Sequence, residues 1–353
     1  MGKYMISVIT PCHNMDKAKL KRAFQSLKDQ TIGFSNIEWL LVLHNESSEN
    51  IENAEKWFAS YPNIKIYVLN DGIKTPASPR NYALKHANGE YIGFLDADDA
   101  YTRSVCQTAC MYLNQTEADV AFFRMETIAT SGKEIAINCK LLLNQIDPYY
   151  VISTDSWDSK CFTCGVGLSI TSKIYRRSII NQNAIRFDTS VPFASDTLFN
   201  LAFYFHMNKI CVMTQLIGYQ YYMGPNSIVQ KLNKNKEDVY QIANGITGIL
   251  NYGYSTSLDI NSLAWELLSY QAVLLLTCKE LTWKDRCCIS NMLQPYFKNL
   301  KSLETNKVHP NKPTIAKYVL PHPFLATIIS HIIAKLKNKS TPNTNRELEQ
   351  KDE

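Results

Sequence analysis

The sequence predicts an α/β fold, a mostly parallel sheet with helices on both faces, followed by a helical extension. Three observations carry that expectation. Short, almost uniformly apolar runs recur at Met5–Thr10, Glu38–Leu43, Ile64–Leu69 and Tyr91–Leu95, a composition that suits strands buried on both faces. Segments with helical spacing separate them, so βαβαβαβ fills about a hundred residues and right-handed crossovers follow. Each run also ends in a polar loop, which is where open α/β sheets bind ligands.

In chain order, Met5–Thr10 is a first strand that breaks at Pro11-Cys12-His13-Asn14. A helix follows from about Asp16 to Gln30, with Leu20, Phe24 and Leu27 on one face and Asp16 near its start, where exposed amides favour a carboxylate. Glu38–Leu43 is the second strand and His44-Asn45-Glu46-Ser47-Ser48 its polar loop. Glu49–Tyr61 reads as an amphipathic helix, and Ile64–Leu69 as a strand ending in Asn70-Asp71-Gly72. A loop over Pro76–Pro79 leads to a helix at Arg80–Ala87, closed by Asn88-Gly89. After Tyr101 a helix is expected through Leu113, then a strand at Asp119–Arg124; residues 126–160 lack a period and read as an excursion over the sheet.

A second organised block runs from Gly165 to Asn226. In it Ser195-Asp196 stands before the apolar helical run of Leu198, Phe199, Leu201, Ala202 and Phe205, so Asp196 falls at or near a helix N-terminus and could serve only as its cap. Residues 235–252 and 257–300 read as helical, with Trp265, Leu267, Leu268, Val273 and Leu276 as core. Pro310, Pro313, Pro321 and Pro323 mark a hinged connection. Phe324–Lys337 then carries Leu325, Ile328, Ile329, Ile332, Ile333 and Leu336 at i, i+3, i+4 spacing, with Lys335, Lys337 and Lys339 at its end. That stripe suits a membrane surface or packing on the preceding helices. The polar residues 340–353 read as a disordered tail.

The chemistry concentrates after the fourth strand, where Asp96, Asp98 and Asp99 follow within four positions. Carboxylates so close repel one another unless a cation or hydrogen-bond donors compensate. Mg²⁺ or Mn²⁺ suits them, being hard ions that take oxygen ligands and share positions with water and phosphates. A solvated acidic turn is the plain alternative. Composition narrows the classes further. With 353 residues, 45% hydrophobic and 20% charged, and a mean hydropathy of -0.21, the chain is an ordinary globular protein. A net charge of +5 is too small to argue for nucleic acid. Ten cysteines are too dilute for a disulfide scaffold, and Cys161/Cys164 and Cys287/Cys288 read as free thiols. The chain opens with a strand pattern rather than a leader, and no apolar run approaches the ~18–20 residues that span a bilayer. The expectation is a cytoplasmic protein without a membrane span.

Taken together, these blocks resemble inverting glycosyltransferases of family 2, which have the GT-A fold; the resemblance covers roughly residues 5–228. Its motifs are I-S-V-I-T-P-C-H-N for the first strand and Pro-x-x-Asn turn, Pro79-Arg80-Asn81, Phe94-Leu95-Asp96-Ala97-Asp98-Asp99, and Ser195-Asp196 before an apolar helix. Two departures stand out. The usual Asp-Asp-Gly-Ser after the second strand is His44-Asn45-Glu46-Ser47 here, and the first acid of the family's later acidic pair is Ser195.

The resemblance implies a domain at 1–228, with a nucleotide-binding half at 1–125 and an acceptor half at 126–228, then a helical extension at 229–339. It implies a nucleoside-diphosphate sugar as donor, most commonly a UDP-sugar, and a glycan or lipid-linked acceptor in surface polysaccharide synthesis. Asp98, assisted by Asp96, would hold the metal, and Asp96 would also meet the ribose. Asn45 or His44 would contact the nucleobase in place of the missing carboxylate, beside Pro11 and Asn14. Arg80 would serve the diphosphate or form an ion pair with the acidic cluster. Asp196 would be the base, Asp99 would support the cluster, and Tyr222 and Asn226 would close near the phosphates. Lys173, Arg176 and Arg177 lie on the acceptor side and read as a solvated basic face. The enzyme would work at the inner face of the membrane, held there by the basic C-terminal helix. The alternative is a catalytically impaired nucleotide-sugar-binding partner subunit, motivated by Ser195 and the altered loop after the second strand.

Overall fold

The computed structural model describes residues 4–129, 134–137, 147–156, 169–191, 194–223, 235–257 and 259–299. Cys161, Cys164, Asn226, the proline-marked connection, the Phe324–Lys337 stripe and the 340–353 tail lie outside them. The chain divides into two compact units: residues 1–227 with 251–260, and residues 228–250 with 261–353.

The first unit is built on a ten-stranded sheet in the order β3-β2-β1-β4-β9-β6-β10-β5, with β7 on β6 and β8 on β10. The strands are β1 Ile6–Cys12, β2 Ile37–His44, β3 Ile64–Leu69, β4 Tyr91–Phe94, β5 Ala100–Tyr101, β6 Val120–Ala129, β7 Glu134–Ile137, β8 Tyr149–Ser153, β9 Lys173–Arg176 and β10 Lys209–Met223. The first four pair in parallel. β9 runs antiparallel to both β4 and β6, and β10 is parallel to β6, so β1, β2, β3, β4, β6 and β10 share one direction. The carboxyl ends of β1 to β4 therefore open on one edge.

Burial explains the apolar runs. Every residue of β2 is buried, and the strand's alternation splits them between two faces. Ile37, Trp39, Leu41 and Leu43 join Leu20, Ala23 and Leu27 of α1 (Lys17–Lys28) and Ala54 and Phe58 of α2 (Ser48–Phe58) in one core. The Trp39 indole N–H is satisfied by Thr10 Oγ1 at 2.8 Å. Helix α3 (Ala77–His86) packs on β1 and β2 through residues outside that cluster, so the sheet is covered on both faces. The helices α4 (Val105–Thr116), α5 (Arg177–Gln182) and α6 (Ser195–His206) complete this unit.

A buried carboxylate ties the strands together. Glu38, 1% exposed, accepts from Ser7 Oγ at 2.5 Å, from the Asn88 amide N–H at 2.8 Å and from Asn88 Nδ2 at 2.9 Å. Gly89 completes the set by donating to Ser7 Oγ at 2.8 Å. A side chain at Gly89 would place its Cβ 2.4 Å from the Ser7 backbone nitrogen, which explains the glycine between α3 and β4.

The structure departs from the sequence expectation in particular places. Helix α3 starts at Ala77, not Arg80, because Pro79 falls in the first turn, where a missing N–H costs nothing. The strand expected to end at Arg124 continues to Ala129, and β7 and β8 lie inside the region read as irregular; their pairing with β6 and β10 stabilises what periodicity did not show. The two-residue β5 was also not foreseen. The second unit contains most of α7 Lys236–Tyr254, with α8 Asn261–Thr277 and α9 Trp283–Asn299, so the stretch read as one helix over 257–300 is two. The break is capped on both sides. Thr282 and Asp285 form a reciprocal box in which Asp285 Oδ2 accepts from the Thr282 N–H at 2.8 Å, and buried Arg286 donates to the carbonyls of Leu275, Cys278 and Leu281. Leu268 and Leu276 are buried, whereas Leu267 and Val273 are only partly so.

Gly89→Ala is expected to destabilise the first unit by about 2 kcal/mol or more, since the colliding atoms are backbone and cannot move aside. Chemical denaturation of the purified variant measures it; an unchanged midpoint would contradict this account of the α3–β4 connection.

Candidate active site

The site lies at the carboxyl edge formed by β1 to β4. Beyond β4 the chain turns at once, the Asp99 N–H reaching the Asp96 carbonyl at 3.1 Å. This turn presents its carboxylates differently. Asp98 is 51% exposed with Lys19 Nζ 3.6 Å from its Oδ2, and Asp96 is 37% exposed. Asp99 points inward and is buried. Its Oδ2 accepts from Tyr219 Oη at 2.6 Å and its Oδ1 from the Tyr222 N–H at 2.8 Å. Tyr219 Oη in turn accepts from the Asp96 N–H at 3.3 Å. Burial, reinforced by the neighbouring Asp96 charge, pushes the Asp99 carboxyl well above the ordinary range. The turn is also gripped from α1: Arg22 donates to the Asp98 carbonyl, and its guanidinium stacks 3.7 Å from the centre of the Tyr222 ring.

Arg80 joins this turn to the second block. It is 4% exposed, and its Nη2 donates to Asp96 Oδ1 at 2.9 Å while Nη1 donates to Asp196 Oδ1 at 2.8 Å. Asp196 does not cap its own helix. Ala194, with φ of 72°, is the cap residue of α6, and the Asp196 side chain makes no capping bond. Although that side chain keeps 34% exposure, the protein atoms crowding it raise its carboxyl from the ordinary range, with Arg80 pulling it back, the Asp96 charge raising it and Lys173 lowering it.

The nucleotide-side candidates share the same edge. Pro11 lies in β1 opposite Val42, and Asn14 follows in an exposed turn with φ of 52°. Asn45, also at φ 52°, donates to the Ile73 carbonyl at 3.1 Å and accepts from the Gly72 N–H at 3.3 Å. His44 is buried with Nε2 2.8 Å from Asp71 Oδ1. Asp71 also accepts from Ser78 and from the Ile73 N–H, and these donors hold its carboxyl below the ordinary range. His44 is thus committed to Asp71. The loops after β1 and β2 are sewn together as well, His13 Nδ1 lying 2.9 Å from the His44 carbonyl and the Met15 N–H reaching Glu46 at 2.7 Å.

One expectation is corrected. Lys173, Arg176 and Arg177 do not form a solvated basic face. Lys173 is fully buried in β9, where it donates to the Ser169 carbonyl and lies 5.5 Å from the Phe122 ring. Arg176 pairs with Glu90 and Asp119, and Arg177 donates to the Gly89 carbonyl. Lys19, Arg22, Asp71 and Tyr219 are the site residues that sequence reasoning missed. Lys19 and Arg22 stand at i, i+3 on the α1 face beside the turn, a spacing that could have marked them; nothing local marks Tyr219.

No three His, Cys, Asp or Glu side chains among the described residues converge on a ready-made metal cage. The donor set still fits a hard divalent ion, because Mg²⁺ and Mn²⁺ sites use one or two carboxylates and fill the remaining positions with water and substrate phosphate. Asp98 and Asp96 are the partly exposed pair that meets this need.

The mostly parallel sheet, with an acidic turn at the carboxyl edge of its first four strands, has the GT-A fold. The family model of glycosyl transferase family 2 matches residues 7–177. Among relatives, the chain is 26% identical over 242 residues to the poly(ribitol-phosphate) beta-N-acetylglucosaminyltransferase TarS of Staphylococcus aureus, covering 67% of this chain. It spans only 39% of the length of that relative. The solved structure of S. aureus TarS residues 1–349 with UDP-GlcNAc aligns with a TM-score of 0.57 at 18% identity, covering 95% of this chain and 92% of that one. A mannosyltransferase of Pyrobaculum calidifontis, solved with GDP-Man and Mn²⁺, aligns with a TM-score of 0.52 at 13% identity, covering 95% and 87%. At these identities the structures establish the fold. No helix among the described residues is long and apolar enough to cross a membrane.

The buried Asp99 yields a pH signature. The folded state binds its proton more tightly than the unfolded chain, so stability is greatest below the ordinary carboxyl value of 3.8 and falls as pH rises from there through the raised folded value. Asp99→Asn removes this decline, and the wild-type melting temperature should fall relative to the variant's across that window. Parallel curves would show that Asp99 stays ionised.

Proposed function

We propose that this chain is a metal-dependent inverting glycosyltransferase that moves a sugar from a nucleoside-diphosphate donor, a UDP-sugar, to a hydroxyl of a glycan or lipid-linked acceptor in surface polysaccharide synthesis. The observation that carries the reading is the convergence of Asp96 and Asp196, a hundred residues apart in sequence, on Arg80 at the ligand edge of the sheet. Donor handling and base chemistry need two such carboxylates on opposite sides of the reacting carbon. The name of TarS supports the polymer acceptor, and the donors in the two aligned structures support a nucleotide sugar. The apolar stripe at 324–337, with lysines at its end, supports work in the cytoplasm at the inner membrane face.

In this mechanism Pro11, Asn14 and Asn45 border the nucleoside, with Asn45 offering an amide where a carboxylate is usual. Asp96 takes the ribose and, with Asp98, would hold Mn²⁺ or Mg²⁺. Bound there, the ion would supply Lewis-acid neutralisation of the leaving diphosphate. Lys19 and Arg22 add positive charge beside Asp98. Asp196 takes the proton from the attacking hydroxyl, and its partly raised carboxyl is a better proton acceptor than an ordinary one. Single displacement inverts the anomeric centre without a covalent enzyme intermediate.

Asp196→Asn should lower kcat by roughly 10²–10⁴-fold while leaving donor binding intact. Asp98→Ala should remove the metal-dependent part of UDP binding. In a thermal-shift titration, UDP at about 100 times its Kd stabilises the wild type by about 2.7 kcal/mol. A melting temperature that responds equally to UDP with and without Mn²⁺ would overturn the metal role, and full transfer by Asp196→Asn would overturn the base.

A further inference from the structure

We propose that Arg80 is a positioning residue that orients the base Asp196 from the donor side, through a guanidinium shared with Asp96. This rests on the reading of Asp196 as the base. The geometry argues for it in three ways. First, Arg80 spans two carboxylates with its two terminal nitrogens, one on each, instead of gripping a single carboxylate side-on. Its Nε is left buried and without a hydrogen-bond partner among the described residues. An orphaned buried donor costs about 1–3 kcal/mol, which a side-on structural pair would avoid by engaging Nε. The arrangement favours reach over pairing strength.

Second, Asp196 depends on this contact. It sits in the first turn of α6 and makes no capping bond to its own helix, so the Arg80 bond fixes which way its carboxylate faces. Arg80 takes Oδ1, which leaves Oδ2 as the atom available to a hydroxyl proton.

Third, the guanidinium is itself held still. Asn81, the next residue of α3, clasps the Phe187 backbone in both directions at 2.8 Å. The Phe187 ring stacks on Phe199 of α6 at 4.2 Å and 8°, and the Arg80 guanidinium lies 5.5 Å from the same ring. The helix carrying Arg80 and the helix carrying Asp196 thus share one aromatic spacer. A ligand that draws on Asp96 acts on the guanidinium that aims the base, so donor occupancy and base orientation are linked.

The test compares Arg80→Ala, Arg80→Lys and Asp196→Asn in full-length protein, with UDP-sugar turnover and melting temperature measured for each. Lysine keeps the charge but has one nitrogen to share, so both Arg80 variants should lose kcat by on the order of 10²-fold with acceptor KM little changed. Free guanidinium, well below concentrations that unfold the protein, should restore about 10-fold of kcat to Arg80→Ala and nothing to the Arg80→Ala/Asp196→Asn double variant. A purely structural arginine would show no such rescue. Wild-type kcat in Arg80→Lys, or a loss confined to donor KM, would overturn the proposal, as would a folded Arg80→Ala that guanidinium does not rescue. If Arg80→Ala does not fold, Arg80→Lys carries the test. Full turnover by Asp196→Asn would sink the base reading separately, whereas impaired Asp196→Asn beside an unimpaired Arg80→Lys would sink this proposal alone.

Discussion

A guanidinium buried between two carboxylates is the interaction on which the rest of the site depends. Arg80, Asp96 and Asp196 come from three elements, and the guanidinium compensates both carboxylates where they meet. Removing a single partner from such a group leaves uncompensated charge in a poorly solvated place, which is costlier than the group's net contribution to stability. The trio is therefore better understood as a device of geometry than of stability. It fixes the distance between the acidic turn after β4 and the first turn of α6.

The acidic turn is held by a different principle. Asp98 and Asp96 remain partly exposed, which leaves their oxygens open to solvent and ligands, whereas Asp99 turns inward to accept from Tyr219 and Tyr222. The burial that raises the Asp99 carboxyl also anchors the turn to β10, so one of three adjacent acids is used as a fastener. Arg22 completes the grip through a backbone carbonyl, leaving the Asp98 side chain to Lys19 and to solvent. Three carboxylates that look alike in sequence thus separate by what surrounds them.

How much of this was legible follows from the range of each signal. The first four strands and their helices were readable because β2 and its neighbours are buried on both faces, and burial writes itself into composition; Ile64–Leu69 was located to the residue. The strands β7 and β8 were not, since pairing with distant β6 and β10 stabilises them rather than any local period. Motif context points to Asp96, Asp98 and Asp196, yet it leaves open whether Arg80 serves a diphosphate or an ion pair, and its bridge from Asp96 to Asp196 is visible only in the fold. That choice depends on tertiary distance. Lys173 shows the opposite error: a lysine in a basic run reads as solvated, and only the fold buries it beside Phe122. Tyr219 carried no signal, because its role is a hydroxyl placed by a strand that begins ten residues earlier.

The serine at position 195 takes on a physical meaning in this setting. Ser195 opens α6 and is buried, immediately before Asp196. With Asp96 and Asp196 already sharing one guanidinium, a carboxylate at 195 would bring a third negative charge into a region where burial and the Asp96 charge already raise Asp196. The added repulsion would push Asp196 further toward its protonated form, which cannot accept a proton. Lys173, buried in β9, pulls the other way and is part of the same electrostatic field. A neutral hydroxyl at 195 therefore keeps the remaining acid ionisable with the positive charge at hand, and the loss of the family's first acid does not by itself argue for a chain without catalysis.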